Sequence, residues 1–134
     1  MGEKDFQQLS ILRRMAEDLN LRVDIIGCPI VREADGLAKS SRNVYLDASQ
    51  RITALSLSRA LRQSRQMAAA GELSTNAIIA KAAELIATSG ARVDYVSIVD
   101  ARDLQAQERL NDHSRMILAA YVGKTRLIDN MPLF

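Results

Sequence analysis

The residues best suited to chemistry gather in two clusters. The first is Gly2-Glu3-Lys4-Asp5-Phe6-Gln7-Gln8-Leu9, a glycine ahead of a charged helix start. Backbone N–H groups at a helix N-terminus attract anions, and Lys4 would add a positive charge beside them. The plainer alternative is a solvated chain start with Asp5 as cap. The second cluster runs from Arg32 to Asn43 (READGLAKSSRN), where Arg32, Lys39 and Arg42 bracket Ser40, Ser41 and a flexible Asp35-Gly36 pair. Cations neutralise phosphates, while hydroxyls and loop amides hydrogen-bond their oxygens, so this set suits a polyphosphate. A polar connecting loop whose serines cap a turn explains the same residues equally simply. Neither GxxxxGK[ST] nor GxGxxG occurs, so no familiar nucleotide fingerprint decides between them.

Other chemistries lack their residues. His113 is the only histidine and lies in a polar Asn111-Asp112-His113-Ser114 stretch, which reads as a turn. No Gly-x-Ser-x-Gly elbow accompanies it. Cys28 is the only cysteine, which rules out an internal disulfide and a zinc site built on Cys and His, and fits a reducing compartment. The formal charge of +2 and the few aromatics (Phe6, Tyr45, Tyr95, Tyr121 and Phe134) argue against a nucleic-acid partner. No apolar run approaches a membrane span, and Met1 is followed by charged residues instead of a secretory pattern. A cytoplasmic protein with no membrane partner is expected.

The elements that must position these clusters follow from periodicity. The 134 residues, 48% apolar and 25% charged, suit one globular domain of ordinary size. Asp5 should cap a helix through Leu19, with Phe6, Leu9, Leu12, Met15, Ala16 and Leu19 on one face. Val23 to Gly27 reads as a short buried strand, and a helix leading into such a strand is the rhythm of a parallel sheet. A charged loop follows to about Asn43. Asp47 should cap a helix to about Ala70, with apolar positions at Ile52, Leu55, Leu57, Leu61 and Met67. Ser74 or Thr75 should cap another, with Ile78, Ile79, Ala82, Leu85 and Ile86 inside and Gly90 beyond its end. Strands are expected at 93–99, 116–122 and 126–128, the last two a hairpin turning at Gly123-Lys124, and a short helix at 104–110. The fold class is therefore α+β: helices over a small three-stranded antiparallel sheet from residue 37 onward. Residues 1–36 read as the last helix-strand unit of a Rossmann-like parallel sheet, one that looks cut from something larger because a lone parallel strand lacks partners.

GEKDFQQL at 2–9 together with CPIVREADGLAKSSRNVYL at 28–46 closely resembles the pantoate–β-alanine ligase family, and RLIDN at 126–130 resembles that family's C-terminal hairpin. The resemblance covers essentially the whole chain but only the C-terminal half of the enzyme. Family members begin with a Rossmann-like domain carrying a His-x-Gly-His motif, which a chain with one histidine cannot contain.

What the resemblance implies is a two-step ligase of coenzyme A biosynthesis using Mg²⁺ and ATP. Pantoate attacks the α-phosphate to give pantoyl adenylate and pyrophosphate, and β-alanine then displaces AMP to form pantothenate. By position, Gly2, Glu3, Lys4 and Asp5 resemble ATP contacts, Lys4 near phosphate and Asp5 near ribose. Gln8 matches the pantoate-binding glutamine, and Val31 a position lying against adenine through its backbone. Ser40, Ser41 and Arg42 match a mobile loop equivalent to the KMSKS loop of class I tRNA synthetases. Lys39 departs from the Met or Leu usual there, so the resemblance at that position extends only to its backbone. Lys4, Ser40, Ser41 and Arg42 are thus the expected catalytic set. Without the opposing N-terminal domain, the chain is expected to be inactive alone. The alternative is a non-catalytic module that self-associates or binds nucleotide weakly. Apolar surface left on the first helix and the 23–27 segment should produce a homodimer or displace the N-terminal segment.

Overall fold

The computed structural model describes all 134 residues. Three helices, α1 (Phe6–Asp18), α2 (Ala48–Ala69) and α3 (Thr75–Thr88), accompany three strands, β1 (Arg92–Asp100), β2 (Ser114–Val122) and β3 (Thr125–Pro132). The strands form one antiparallel sheet in the order β1-β2-β3. No helix is long and apolar enough to cross a membrane.

The helix starts follow the expected capping chemistry. Asp5 accepts from the Gln8 N–H at 3.3 Å, and Ser74 accepts from the Ala77 N–H at 3.4 Å. Asp47 and Gln50 form a reciprocal capping box at the head of α2. The β2–β3 hairpin turns at Gly123, whose φ of +58° is one that residues with a side chain rarely adopt.

Strand alternation divides the apolar residues between the two sheet faces. Ile98, Met116, Leu118, Ala120, Val122 and Leu127 face α2 and α3, where they meet Leu57, Leu61, Ile78 and Ile86 in the main core. Val99 and Ile117 point the other way, and Phe6 closes over them. The start of α1 is therefore pinned to the sheet face opposite the other two helices.

Several expectations fail at the chain's beginning. Val23 to Gly27 is neither a strand nor buried: Val23 is 58% and Ile26 70% exposed. Its only sheet-like feature nearby is a single parallel bridge between Gly2 and Cys28. Three backbone bonds tie the segment to the N-terminus: the Met1 amino group to the Ile26 carbonyl at 2.7 Å, Cys28 N–H to Met1 at 2.7 Å, and Glu3 N–H to Cys28 at 2.8 Å. One bridge cannot sustain a parallel ladder, which needs neighbours on both sides. Residues 1–36 thus contain α1, an extended segment and this one parallel bridge. On α1 only Phe6, Leu9 and Ala16 are buried, while Met15 and Leu19 lie exposed. Nor is the N-terminal segment displaced, since Phe6 holds it to the sheet.

Two smaller differences lie elsewhere. Ile52, expected among the apolar positions of α2, is 64% exposed. Residues 104–110 form an irregular segment with single bridges at Ala106 and Arg109 instead of a helix: Leu104 takes φ +64°, and Gln107 donates its N–H to Ile98 while Gln105 accepts from Asp100. Backbone pairing with β1 takes the groups a helix would have used. The charged loop is also better ordered than expected, with an Arg32–Ala38 bridge and a 3-10 helix over Ser41–Tyr45.

Candidate active site

The two sequence clusters meet at Lys4. Its Nζ donates to the carbonyl oxygen of Lys39 at 3.2 Å, bringing the chain's start against the serine loop. Burial pulls the Lys4 ammonium below its ordinary value, opposed by Asp129 and reinforced by the charges of Arg42 and Arg32. Lys4 makes no direct ion pair with a carboxylate.

The serine loop is built from the inside outward. Leu37 and Ala38 are buried, and Asn43 beneath them donates to the Glu33 carboxylate at 2.7 Å and to the Ala38 carbonyl at 3.2 Å. Arg51 on α2 reaches Glu33 at 2.7 Å and Asp35 at 2.8 Å. That guanidinium holds both carboxyls below the usual carboxylate range, Glu33 with help from Asn43 and Asp35 with help from the Leu37 N–H. Ser40 accepts from the Arg42 N–H at 3.2 Å and starts the 3-10 helix. Ser41 and Arg42 lie exposed on it, and Arg42 forms no ion pair.

Two expected groups take different parts. Arg32 does not offer its charge to a ligand, because it is spent in a bidentate pair with buried Asp129 at 2.7 and 2.9 Å. The Lys39 N–H donates to the Val31 carbonyl at 2.8 Å, so the backbone of Lys39 closes the loop on both sides. Val31 is 63% exposed, and its own N–H takes no partner within the chain. Val31, Lys39, Ser40 and Ser41 line one shallow depression of about 760 Å³. Lys4 and Asp5 line another, of about 180 Å³, with Gln7, Tyr95 and Asn130. Gln8, although exposed, is not among the residues of either, and Gly2 stays apart from both in its bridge to Cys28.

Periodicity does not single out the groups that hold this arrangement. Asn130 donates to the carbonyls of Glu3 and Lys4 at 2.8 and 2.9 Å, and Arg115 donates to Asn130 at 2.5 Å while lying 4.0 Å over the Phe6 ring. The available signal is the polar pair Asp129-Asn130 set between Leu127-Ile128 and Met131. His113 lies in an exposed turn, its N–H donated to Asn111 at 2.8 Å.

Three helices packed about a three-stranded antiparallel sheet, two on one face and the head of α1 on the other, match the architecture of the C-terminal domain of solved ligases. The structure superposes on pantothenate synthetase from Thermus thermophilus with a TM-score of 0.93 and 41% identity, covering 100% of this chain and 49% of that one. Residues 1–132 match the Pantoate-beta-alanine ligase family, and the chain belongs to it. A pantothenate synthetase from Heliobacterium modesticaldum is 52% identical over 131 residues, 97% of this chain and 47% of that protein. Another relative, from Clostridium botulinum strain Okra, is 48% identical over 134 residues. A Francisella tularensis pantoate–β-alanine ligase complexed with β-γ ATP and β-alanine has a TM-score of 0.67 and 32% identity, and the chain covers 42% of it. The chain spans about 47% of the length of these curated relatives.

Proposed function

We propose that these residues form one wall of an ATP and pantoate site, in a ligase that joins pantoate to β-alanine through pantoyl adenylate. The observation that carries the reading is the Lys4–Lys39 contact, because it sets the first cation of one cluster against the serine loop of the other. Pantoate's carboxylate would attack the α-phosphorus of ATP and expel pyrophosphate. The amine of β-alanine would then attack the acyl carbon and release AMP.

Negative charge moves onto the pyrophosphate in the first step. Lys4 and Arg42, neither of them paired to a carboxylate, stabilise it, and the hydroxyls of Ser40 and Ser41 hydrogen-bond the phosphate oxygens. The Val31 N–H is available to the adenine edge. One Asp5 oxygen caps α1 while the other is available to the ribose. Gly2 and Glu3 bring the backbone up to the nucleotide, and Gln8 in the first turn of α1 meets pantoate. No group of three His, Cys, Asp or Glu side chains here is arranged to hold a metal ion. Magnesium would accompany ATP and neutralise charge on its phosphates.

Every residue of this wall is open to solvent on one side, so its charges act through a high dielectric until a second wall covers them. An N-terminal domain of the kind the longer relatives carry would supply that cover, and the chain alone does not catalyse. Exposed Ile11, Met15, Leu19 and Ile26 offer an apolar face through which the isolated chain pairs with itself as a homodimer. The test is pantoate-dependent exchange of labelled pyrophosphate into ATP. No exchange with this chain alone, and exchange once the separately expressed N-terminal half of a relative is added, supports the reading. Exchange by the chain alone contradicts the half-site, and silence in both contradicts the assignment of the wall.

A further inference from the structure

Lys4 has few direct restraints of its own. Its side chain is half-buried and makes one hydrogen bond, to a carbonyl. Two adjacent residues of β3 restrain its surroundings from opposite faces of the sheet. Asp129 lies opposite Leu118, whose side chain belongs to the helix-covered core, and Asn130 lies opposite Ile117, which packs under Phe6. Both are 3% exposed on an edge strand, where polar side chains are tolerated only if their hydrogen bonds are met.

They are met, and by the two clusters. Both amide hydrogens of Asn130 go to the carbonyls of Glu3 and Lys4, at 2.8 and 2.9 Å, and its oxygen accepts from Arg115. Arg115 also reaches the Glu3 carboxylate at 3.4 Å, which closes a ring around the peptide that carries Lys4. On the other face, Asp129 takes both Arg32 nitrogens, and the same Arg32 Nη1 donates to the Gly36 carbonyl at 3.1 Å. Asp129 also accepts from the Asn130 N–H at 2.8 Å, so the loop and the chain's start are joined through one peptide unit.

We propose that Asp129 and Asn130 are the positioning residues for Lys4, Asn130 clamping the Glu3–Lys4 backbone and Asp129 cancelling the Arg32 charge that would otherwise repel the ammonium. The inference rests on reading Lys4 as the phosphate-facing cation, but each residue has a separate electrical signature. The charged groups facing Lys4 are Asp129 from β3, Arg32 and Arg42 from the loop and its 3-10 helix, and Asp5 from the head of α1. Removing the Asp129 charge leaves Arg32 uncompensated and lowers the pH at which Lys4 titrates. Releasing the Asn130 clamp lets Lys4 reach water and moves its titration up toward the ordinary lysine value.

The test uses the 134-residue chain with ¹³C-labelled lysine side chains, titrated by NMR. The sequence has only Lys4, Lys39, Lys81 and Lys124, and Lys4→Arg assigns the signal. In Asp129→Asn the Lys4 titration should fall below wild type, and in Asn130→Ala it should rise, while Lys39, Lys81 and Lys124 stay in place. Asp129→Glu, which keeps the charge, should restore the wild-type value. A purely structural role would move all four lysines together or none. Lys4 unmoved in either folded variant, or moved in the same direction in both, overturns the proposal. If one of the two does not fold, the opposite-sign prediction for the other still decides. Adding Mg-ATP to the chain complemented by the N-terminal half of a longer relative tests the underlying reading separately: a Lys4 signal indifferent to nucleotide there would sink the phosphate role and leave the positioning result untouched.

Discussion

Lys4 Nζ donates to the backbone oxygen of Lys39 at 3.2 Å, across 35 positions of sequence. The acceptor is the residue immediately before Ser40-Ser41-Arg42, so the contact fixes where the serine loop begins relative to the head of α1. Several consequences can be measured.

The surroundings that make Lys4 useful also strain it. Its ammonium is held below the ordinary lysine value chiefly by burial, so the unfolded chain binds that proton more tightly than the folded one. Stability therefore rises with pH as the ordinary lysine range is approached, and at neutral pH the buried charge costs stability. Lys4→Met should leave the thermal midpoint at pH 7 unchanged or higher. A clearly lower midpoint by calorimetry would contradict this account.

The loop's acid sensitivity should depend on Arg51. Glu33 and Asp35 are both depressed by its guanidinium, so their stabilisation is complete above the unfolded carboxylate range, about pH 4. It is lost as pH falls through their lower folded values. Wild type should thus lose urea resistance between about pH 5 and pH 2, and Arg51→Ala should lose less over the same interval. Equal slopes in the two proteins would show that the pair contributes nothing. Asp100, held far below the usual range chiefly by the Arg102 side chain, adds to the same acid limb and is unaffected by that variant.

Gly36 takes φ +94°, and a Cβ placed there would stand 3.1 Å from Arg62 Nη1. Gly36→Ala should cost about 1–2 kcal/mol, from the positive φ and the displaced guanidinium together. Denaturant midpoints measure it, and a cost below about 0.3 kcal/mol would mean that the turn relaxes freely.

The two faces of α1 should answer differently to substitution. Leu9 is fully buried, and Leu9→Ala should cost about 2–5 kcal/mol. Ile11 is 60% exposed, and Ile11→Ser should change stability by no more than about 0.5 kcal/mol while weakening self-association. Light scattering across a concentration series reads the second effect. A mass of one chain at every concentration in wild type would remove the dimer from the account.

The sequence is most legible where one local rule decides. The caps at Asp5, Asp47 and Ser74 and the Gly123-Lys124 turn between β2 and β3 depend on near neighbours and appear as expected. Val23 to Gly27 misleads because an apolar run indicates burial only when partners are at hand, and here one bridge at Cys28 is all that forms. Residues 104–110 carry helix-forming side chains, but pairing with β1 overrides that preference. The serine loop can be proposed from residue types alone. The spending of Arg32 on Asp129 cannot, because that pair spans 97 positions and nothing local announces it. Asn130 escapes a local reading for the same reason, as its partners lie at the far end of the chain.

The most direct test joins this chain to the N-terminal half of a longer relative and measures pantoate-dependent pyrophosphate–ATP exchange in the hybrid, with and without Lys4→Ala. The account predicts exchange in the hybrid and a fall of about a hundredfold or more in its rate on removing the Lys4 ammonium, with much smaller changes in the KM for ATP and pantoate. A Lys4→Ala hybrid that exchanges at the unsubstituted rate would contradict the central claim that Lys4 stabilises the charge developing on the phosphates.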